Sequence, residues 1–371
     1  MKKINYVHFS SIPSNLPSSL QVIKTCENFS KNNYNVTLIK PGTGNKKISI
    51  KKYYGLKHDI KIKEFKSIKS FPQGFKFYLY CTYCLLFILG NKKSITISRS
   101  YFICYLLLLF KQKVILEIHH DTQGESRVTK FILKYFNFLN DKNLMNIVAV
   151  TNSVKKLFIN KYNVKTEKII VLPSGSSIRL KCKPSFNFSK RMKIGYFGSI
   201  SPSKGINTII KLSKIDKDND YFIFGGLKSE ITKLKKKNFN KNLFLKENIP
   251  YVNLPKVMLK MDILTIPYTD QIKSAGEVDE ISKFTSPLKL FDYLAVGKTI
   301  ISSDLKVLRE VIDTKNAIFI KNFENVYAWK QNINFVKNNK NKIYIMSKNN
   351  LRLSREYDHS SRVKKYINFK L

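Results

Sequence analysis

One predicted helix contains residue types that could bind an anion beside a hydroxyl-bearing ligand. Ser286 is a favourable N-cap residue, Pro287 suits the first helical position, and Gly297 offers a left-handed end. The first turn of such a helix has free backbone N–H groups, where the helix dipole favours a negative charge. Lys289 and Asp292 add a cation and a hydrogen-bond acceptor within the first two turns. A sugar nucleotide needs both groups, so this helix is a candidate site for one.

A glycine-containing loop after a predicted strand at 193–197 offers further phosphate-binding groups. Gly198 lets the backbone approach a diphosphate, and Lys204, between Pro202 and Gly205, is placed to reach the same phosphates. The alternative is that Lys204 is an ordinary surface lysine of a lysine-rich chain. Its position in the loop favours the phosphate role.

The net charge indicates anionic partners. The 371 residues include 67 Lys and Arg against 25 Asp and Glu, which gives a formal charge of +42. A surface this positive can bind nucleic acid, anionic lipid or phosphorylated substrates. Nucleic-acid readers concentrate Arg and aromatic residues in a patch or module, whereas here lysine is spread along the chain. We therefore expect a diphosphate substrate or an anionic membrane surface, and do not expect nucleic acid.

The cysteines and the apolar runs bear on location. The five cysteines are odd in number and scattered, so no disulfide framework is expected. Cys81 and Cys84 have the spacing of a zinc or redox pair, but no second pair is near them in the sequence, which favours buried core thiols. The apolar runs 77–90 and 101–110 are shorter than the roughly 20 residues that span a bilayer, and the first residues do not resemble a signal peptide. We expect a cytoplasmic protein.

Short apolar runs that alternate with helical patterns predict an α/β fold. In the first half, strands are expected near 4–9, 36–39, 94–97, 114–119, 146–150 and 168–172. The polar stretch 181–191 has the composition of a linker. After it, strands are expected near 193–197, 221–224, 242–245, 263–267 and 299–302. Two doubly wound domains facing each other would form a cleft at the carboxyl ends of their strands.

Segments in order along the chain resemble the GT-B-fold glycosyltransferases of the large retaining family four, the group 1 glycosyltransferases that include bacterial surface-polysaccharide enzymes. Glu117-Ile-His119 is similar to the family's Glu-x-His at a strand end. The other similar segments are residues 12–23, 150–153 with 172–175, 196–205, 249–255 and 286–297. The resemblance spans nearly the whole chain and implies two Rossmann-like domains facing an interdomain cleft.

The resemblance also implies a division of the chain and a reaction. Residues 1–185 would form the acceptor-side domain and 186–350 the nucleotide-sugar donor domain, with a helix in 351–371 packing back on the first. The enzyme would move a hexose-type sugar, with retention, from a nucleoside diphosphate sugar to a glycan or lipid-linked saccharide. No metal or other cofactor is expected, because fixed positive groups stabilise the leaving diphosphate in such enzymes. Capsule or lipopolysaccharide synthesis at the inner face of the cell membrane is the expected setting.

The donor-side residues follow from the matching segments. Asp292 would accept hydrogen bonds from the ribose, and Asn248 and Ile249 would lie beside the base. The donor diphosphate would be bound by the residues of the loop and of the first helical turn: Gly198, Ser199, Lys204, Ser286, Pro287, Leu288 and Lys289.

Fewer residues are implied on the acceptor side. His119 would be the catalytic residue, hydrogen-bonding the transferred sugar or polarising the reaction centre; the alternative is a neutral histidine at the sheet edge. Ser18 and Ser19 would either cap the first helix or contact the acceptor or a donor phosphate. Glu117 and Asp121 are interpreted as structural.

The chain departs from the family pattern at two positions. The first of the family's two glutamates, eight residues apart, is replaced by Phe284, so that either Glu277, Asp279 or Glu280, or backbone N–H groups, would have to contact the donor sugar instead. Ser199 stands where many relatives have an arginine. These departures keep two alternatives open: a non-catalytic GT-B protein that binds a partner transferase, and a sugar-nucleotide enzyme of another reaction type.

The apolar segments 75–89 and 101–110 have two interpretations. Core helices are the simpler one. Neighbouring lysines would instead suit a basic, aromatic surface that faces a lipid-linked acceptor at the membrane; they are Lys76, Lys92, Lys93, Lys111 and Lys113.

Overall fold

The computed structural model describes residues 2–42, 49–66, 72–91, 94–178, 183–184, 188, 190–237, 240–273 and 280–367. The chain divides into two compact units. The first comprises Met1–Ser174, Phe284–Ser286 and His359–Leu371, and the second comprises Gly175–Lys283 and Pro287–Asp358. The sequence analysis placed the boundary at 185/186, which falls inside the second unit.

The first unit is built on one parallel sheet. Its strands β1 to β7 are Lys3–Val7, Asn35–Pro41, Lys61–Phe65, Ser94–Ser98, Lys113–Ile118, Leu144–Ala149 and Ile169–Val171. Helices α1 to α6 are Pro17–Lys31, Ile50–Tyr54, Gln73–Leu89, Tyr101–Leu109, Arg127–Tyr135 and Asn152–Tyr162. The strand order is β3-β2-β1-β4-β5-β6-β7. Strands β1 and β5 are buried over nearly their whole length, because helices cover both faces of the sheet.

The second unit repeats this plan. Its strands β8 to β13 are Lys193–Phe197, Asp220–Phe224, Leu243–Lys246, Ile263–Ile266, Thr299–Ser303 and Ala317–Ile320. Helices α7 to α13 are Ile206–Ile215, Lys228–Lys237, Leu254–Met258, Leu288–Val296, Lys306–Arg309, Val326–Asn338 and Lys340–Ser354. The order β10-β9-β8-β11-β12-β13 is again parallel throughout. The predicted α/β fold with two doubly wound sheets is confirmed.

The last helix, α14 (His359–Ile367), belongs to the first unit. It packs against α1, where the ring of Tyr366 meets that of Phe29 with centroids 5.8 Å apart. Val363 and Tyr366 are buried in the same hydrophobic core as β1 and α1. The end of the chain therefore contributes to the core of the unit in which the chain begins.

Helices α3 and α4 supply much of a second core in the first unit. Tyr80, Cys84 and Ile88 of α3 and Leu107 of α4 are buried there. Phe75 and Leu86 nevertheless remain exposed on α3. Within the described part of the chain, no helix has the length and hydrophobicity that crossing a membrane requires.

Two strands and two helix starts differ from the predictions. Strands β3 and β13 were not predicted. Helix α1 begins at Pro17 with Leu16 at the N-cap, so neither Ser18 nor Ser19 caps it. The buried Ser19 hydroxyl instead donates to the Ser11 carbonyl and accepts from the Ser14 hydroxyl. The start of α10 is corrected below.

Candidate active site

In the second unit, the predicted phosphate loop begins where the strand order changes direction. Strand β8 pairs with β9 on one side and with β11 on the other. In doubly wound sheets, ligands bind at the carboxyl ends of strands at such a point. Gly198 directly follows β8, Lys204 ends a 3₁₀ turn (Pro202–Lys204), and Tyr268 lies just after β11. The structure therefore brings Gly198 and Lys204 to this edge of the sheet.

Two lysines meet over one aromatic ring at this edge. The Nζ of Lys289, from the first turn of α10, lies 3.8 Å from the ring centroid of Tyr196 and 5.0 Å from that of Tyr268. The Nζ of Lys204 lies 5.2 Å from the same Tyr268 centroid and donates to the Lys273 carbonyl at 2.7 Å. Among the described residues, the buried Nζ of Lys289 has no hydrogen-bond partner. No carboxylate among them forms a salt bridge with Lys289.

The electrostatics of this pair favour a bound anion. Burial, together with the nearby charge of Lys204, holds the pKa of Lys289 well below its usual range. A nearby anion would raise the pKa of Lys289 again, because an opposite charge favours the ammonium form. The phosphate role of the two lysines stays a prediction.

Glycine is required twice in this loop. Gly198 has a φ of +146°, and a Cβ there would lie 2.7 Å from the Nζ of Lys289. Gly205 has a φ of +78°, and a Cβ there would lie 1.6 Å from the carbonyl oxygen of Pro267. Between them, Ser199 accepts a hydrogen bond from the Tyr196 hydroxyl through its carbonyl at 2.9 Å. A side chain at 198 would fill the space beside the Lys289 amine.

Helix α10 starts later than the sequence predicted. Pro287, and not Ser286, occupies its N-cap, and no side chain caps the helix. The Ser286 hydroxyl is engaged by the backbone N–H of Ser174, at 2.9 Å. Leu288 and Lys289 thus become the first two helical residues, whose N–H groups have no partner within the helix. The predicted free N–H groups belong to the same two residues, but the predicted N-cap was wrong.

Asp292 lies inside the second unit. It is 4% exposed, and its Oδ1 accepts hydrogen bonds from the Ser176 hydroxyl at 2.6 Å and the Tyr251 hydroxyl at 3.1 Å. Burial raises the pKa of its carboxyl to about 7, against the opposing effect of these two donors. The structure gives Asp292 an internal role, and its binding of ribose stays a prediction.

The predicted base-side residues follow β10. The backbone N–H of Asn248 donates to the Gly226 carbonyl at 3.3 Å, and Ile249 packs against the core that contains α10. Neither position carries a signal of its own for a base.

In the first unit, three polar residues follow three neighbouring strands. His8 lies just after β1, Arg99 just after β4 and His119 just after β5. The buried carboxylate of Glu117, in β5, accepts hydrogen bonds from His119 and Arg99, and also from Arg362 of α14. The point where this sheet changes direction, between β1 and β4, therefore carries a cluster of ionic and imidazole groups.

Both histidines of this cluster are neutral near pH 7. Burial lowers the pKa of His119 to about 4, with a further contribution from Arg99 that outweighs the hydrogen bond to Glu117. Burial and Arg99 likewise lower the pKa of His8 to about 3. Burial alone would raise the pKa of Glu117, but Arg99 and Arg362 hold it well below its usual range. The cluster thus contains one carboxylate and two guanidinium groups.

The sequence analysis did not propose Arg99, His8 or Arg362 for this site. Arg99 could have been found, because it directly follows a predicted strand next to the one that ends at His119. Arg362 could not, because 245 residues separate it from Glu117. Glu117 was interpreted as structural, and the structure shows it buried and hydrogen-bonded within the first unit.

Other expected residues have simpler roles or cannot be placed. Cys26, Cys81, Cys84 and Cys104 are free and buried, which confirms the prediction of core thiols, and burial raises the pKa of Cys84 to about 12. Cys182 lies outside the described residues, as do Glu277 and Asp279.

The comparisons with known proteins bear first on the second unit. Residues 179–352 match the family described as Glycosyl transferases group 1. The match covers the loop after β8, both lysines and α10. Among curated proteins, none matches the chain.

Solved structures match over the whole chain. HepE from Anabaena, solved with UDP and glucose, superposes with a TM-score of 0.70 at 12% identity, covering 99% of each chain. A glycosyltransferase from Rickettsia africae gives a TM-score of 0.72 at 15% identity, covering 100% of this chain and 98% of the other. Sucrose-phosphate synthase from Thermosynechococcus elongatus gives 0.72 at 12%, covering 99% and 98%. The fold is GT-B. Together with the family match, this fold supports a GT-B glycosyltransferase. The loop after β8 lies within the matched residues 179–352.

We predict that Asp292→Asn stabilises this GT-B protein increasingly as the pH rises from about 4 to about 7. In the unfolded chain the carboxyl ionises near its ordinary pKa of 3.8, whereas in the folded protein it keeps its proton up to about pH 7. The stability that comes from the protonated carboxyl is therefore complete below pH 4 and is lost as the pH rises through 7. Thermal melts at several pH values should show the variant's Tm exceeding that of the wild type by several degrees at pH 8.

Asp216→Asn is the matched control, since Asp216 is also buried and also accepts a tyrosine hydrogen bond, from Tyr221 at 2.6 Å. A Tm difference for Asp292→Asn that does not change with pH would contradict the prediction.

Proposed function

We propose that the protein is a retaining glycosyltransferase that moves a sugar from a nucleoside diphosphate sugar to a glycan or lipid-linked saccharide. The observation that carries the proposal is the buried amine of Lys289, which lies over Tyr196 and Tyr268 without a hydrogen-bond partner among the described residues, with Lys204 over the same Tyr268 ring. Two lysine amines beside Gly198, which has no side chain to block a ligand, suit a diphosphate. The match of residues 179–352 to group 1 glycosyltransferases supports the same ligand class, as does the UDP in the HepE structure.

In this proposal the second unit stabilises the leaving group. As the bond between the sugar and the diphosphate breaks, negative charge grows on the departing phosphate oxygens. Lys204, Lys289 and the free N–H groups at the start of α10 would face that charge without needing to reorganise. The protein supplies this stabilisation from fixed groups, so the proposal assigns no role to a metal.

The first unit would hold the sugar end of the reaction. His119 is neutral and 24% exposed in its side chain, so it can hydrogen-bond a sugar hydroxyl but carries no charge. We nominate no protein nucleophile; a donor phosphate oxygen would take the proton of the attacking hydroxyl. Ribose binding by Asp292 and contacts of Asn248 and Ile249 with the base belong to the same proposal.

A membrane setting is proposed from a surface on helix α5. Val128, Phe131 and Tyr135 are 46%, 55% and 62% exposed and recur along one stripe of this helix. Ile132 and Leu133 form its buried side. We name the outward stripe, together with Phe136 beyond the helix end, the α5 face. It is extended towards α4, because the ring centroid of Phe136 lies 5.3 Å from that of Tyr105.

Charge complementarity supports an anionic bilayer as the proposed occupant of the α5 face. No acidic residue occurs in 126–140 or in 101–116. The basic residues exposed there are Arg127, Lys130, Lys134, Lys111 and Lys113. Exposed aromatic rings flanked by lysines are typical of helices that lie in a membrane interface. The basic, aromatic surface expected on α3 and α4 is thus proposed to include α5. Two of the lysines expected beside it, Lys92 and Lys93, lie outside the described residues. A cytoplasmic enzyme at the inner face of the membrane, in cell-surface polysaccharide synthesis, fits this surface.

We predict that UDP binding, or binding of another nucleoside diphosphate, takes up a proton at neutral pH. Burial and the charge of Lys204 lower the pKa of Lys289 well below its usual range in the free protein, and a bound diphosphate would raise it. Isothermal titration calorimetry in buffers of different ionisation enthalpy should show uptake of up to about one proton, and the uptake should disappear in Lys289→Met. Lys204→Met should weaken binding roughly tenfold or more, as expected for a lost charge-assisted hydrogen bond.

The control is Lys348→Met, which changes an exposed lysine of α13. A panel of UDP-, GDP- and ADP-sugars, assayed for donor hydrolysis and for protection against melting, tests the function itself. No response to any donor, with cellular activity unaffected by Lys204→Ala, would favour the non-catalytic alternative. Inversion at the anomeric carbon of the product would exclude the retaining reaction.

We predict that the α5 face binds vesicles containing anionic lipid. The double variant Phe131→Ser, Tyr135→Ser should bind vesicles of phosphatidylglycerol and phosphatidylcholine at least about tenfold more weakly than the wild type, because each ring buries apolar surface in the interface. The double variant Lys130→Gln, Lys134→Gln should lose about 2 kcal/mol of binding free energy, since each lysine near an anionic surface contributes about 1 kcal/mol. Cosedimentation at low and high salt measures both.

The matched control removes two exposed side chains of the second unit, Tyr327 and Ile345, which are 65% and 57% exposed. Equal binding by the α5 variant and this control would refute the assignment. Equal binding to neutral and anionic vesicles would also count against it.

A further inference from the structure

The two carboxylate oxygens of Glu117 accept five hydrogen bonds from side chains. Oε1 accepts from His119 Nε2 at 2.9 Å, Arg99 at 3.1 Å and Arg362 at 3.0 Å. Oε2 accepts from the hydroxyls of Tyr6 at 2.7 Å and Tyr366 at 2.9 Å. Two of the five donors are guanidinium groups and two are tyrosine hydroxyls. The fifth donor, His119, has a second ring nitrogen that does not contact Glu117.

We infer that Glu117 is a positioning residue that fixes His119 in its Nε2–H tautomer, so that Nδ1 accepts a hydrogen bond from a hydroxyl of the bound saccharide. We further infer that Arg362 of the C-terminal helix is part of this device, because it holds the same oxygen of Glu117. The inference deepens the proposed function and rests on it for the identity of the ligand.

The tautomer follows from the charges. Arg99 and Arg362 keep Glu117 ionised, and an ionised carboxylate can only accept hydrogen bonds. His119 Nε2 must therefore carry the proton of their 2.9 Å contact. Because the ring is neutral, Nδ1 keeps its lone pair. Among the described residues, no hydrogen bond to His119 Nδ1 is formed, so this acceptor is available to a substrate donor.

The groups that face His119 also explain why it stays neutral. They are Glu117, Arg99, Arg362 and His8, the last of these neutral as well. Two guanidinium groups against one carboxylate leave an excess positive charge, which disfavours an imidazolium. A protonated His119 would donate through both nitrogens. Burial is the largest cause of the lowered pKa of His119, and the two arginines add to it, so the ring keeps a nitrogen that can accept a hydrogen bond.

The contribution of α14 comes from a fixed guanidinium. Arg362 is 4% exposed; its Nε donates to the Pro173 carbonyl at 2.9 Å while its Nη2 donates to Glu117. Its guanidinium also lies 4.9 Å from the ring centroid of Tyr366. A lysine at 362 would keep the charge but could not make both hydrogen bonds, because it lacks the planar fork of arginine. Arg362→Lys therefore separates the charge of this residue from its geometry.

The direct test is nitrogen NMR of the full-length protein labelled with ¹⁵N-histidine. The chain has five histidines, and His119→Gln identifies the signal of His119. In the wild type we expect the two unlike nitrogen shifts of a single Nε2–H tautomer. A mixture of tautomers or the Nδ1–H form would overturn the inference, whatever the enzyme assay shows.

Two variants then test the positioning. Glu117→Gln offers an amide that can donate as well as accept, so the Nδ1–H tautomer should become populated; kcat should fall about tenfold, which corresponds to about 1.4 kcal/mol, with the donor KM little changed. Arg362→Lys, the milder change, should move the shifts in the same direction and lower kcat less. It keeps the test open if Glu117→Gln fails to fold.

Matched controls lie in the second unit. Asp216→Asn changes a carboxylate that is 1% exposed and bonded to a tyrosine, and Arg309→Lys changes an arginine that makes two hydrogen bonds to Asp304, at 2.7 and 3.0 Å. Both should leave the His119 shifts and kcat unchanged. If Glu117→Gln and Arg362→Lys lower Tm as the controls do but leave the tautomer and kcat intact, their role is structural only. If the tautomer shifts while His119→Gln keeps full activity, the positioning stands and the proposed role of His119 in the reaction fails.

Discussion

The first unit depends on the burial of one carboxylate. Glu117 is 1% exposed in the central part of a seven-stranded sheet, where an uncompensated charge would cost several kcal/mol. The groups that compensate this charge are Tyr6 of β1, Arg99 after β4, and Arg362 and Tyr366 of α14. The chain must therefore return to its first unit after completing the second, and the position of α14 follows from this requirement as much as from the apolar contacts of Val363. A buried ionic group of this kind specifies which element packs where.

The second unit contains a buried amine that is not compensated in this way. Lys289 has a covered amine without a hydrogen-bond partner among the described residues, and Lys204 lies over the same ring. Folding places these cations together at a cost, which is visible in the lowered pKa of Lys289. The Glu117 carboxylate has its hydrogen-bond donors within the protein, whereas the buried Lys289 amine has no acceptor among the described residues. This contrast separates the two clusters more clearly than burial alone does.

Much of the fold could be predicted because both sheets are parallel and their central strands are apolar runs. Strand β3 escaped notice since Lys61–Phe65 is an exposed edge strand with no apolar alternation, and the short edge strand β13 was missed as well. The lysine pair could be predicted from a local loop and a local helix start. The start of α10 was misplaced because the Ser286 hydroxyl bonds to Ser174, 112 residues away. Arg362 needed the same kind of long-range information, which periodicity does not contain.

The replacement of a family glutamate by Phe284 has a physical counterpart in the structure. Phe284 packs against the apolar core of the first unit, where a carboxylate would be poorly solvated. Of the acidic residues expected to replace it, Glu280 lies within the described part of the chain. Its backbone forms an isolated antiparallel β-bridge with that of Lys273. Lys273 in turn accepts the hydrogen bond of the Lys204 amine through its carbonyl and donates to the Ser203 hydroxyl through its N–H. Glu280 is therefore tied to the predicted phosphate loop, so its carboxylate would be positioned by residues that are proposed to bind the diphosphate.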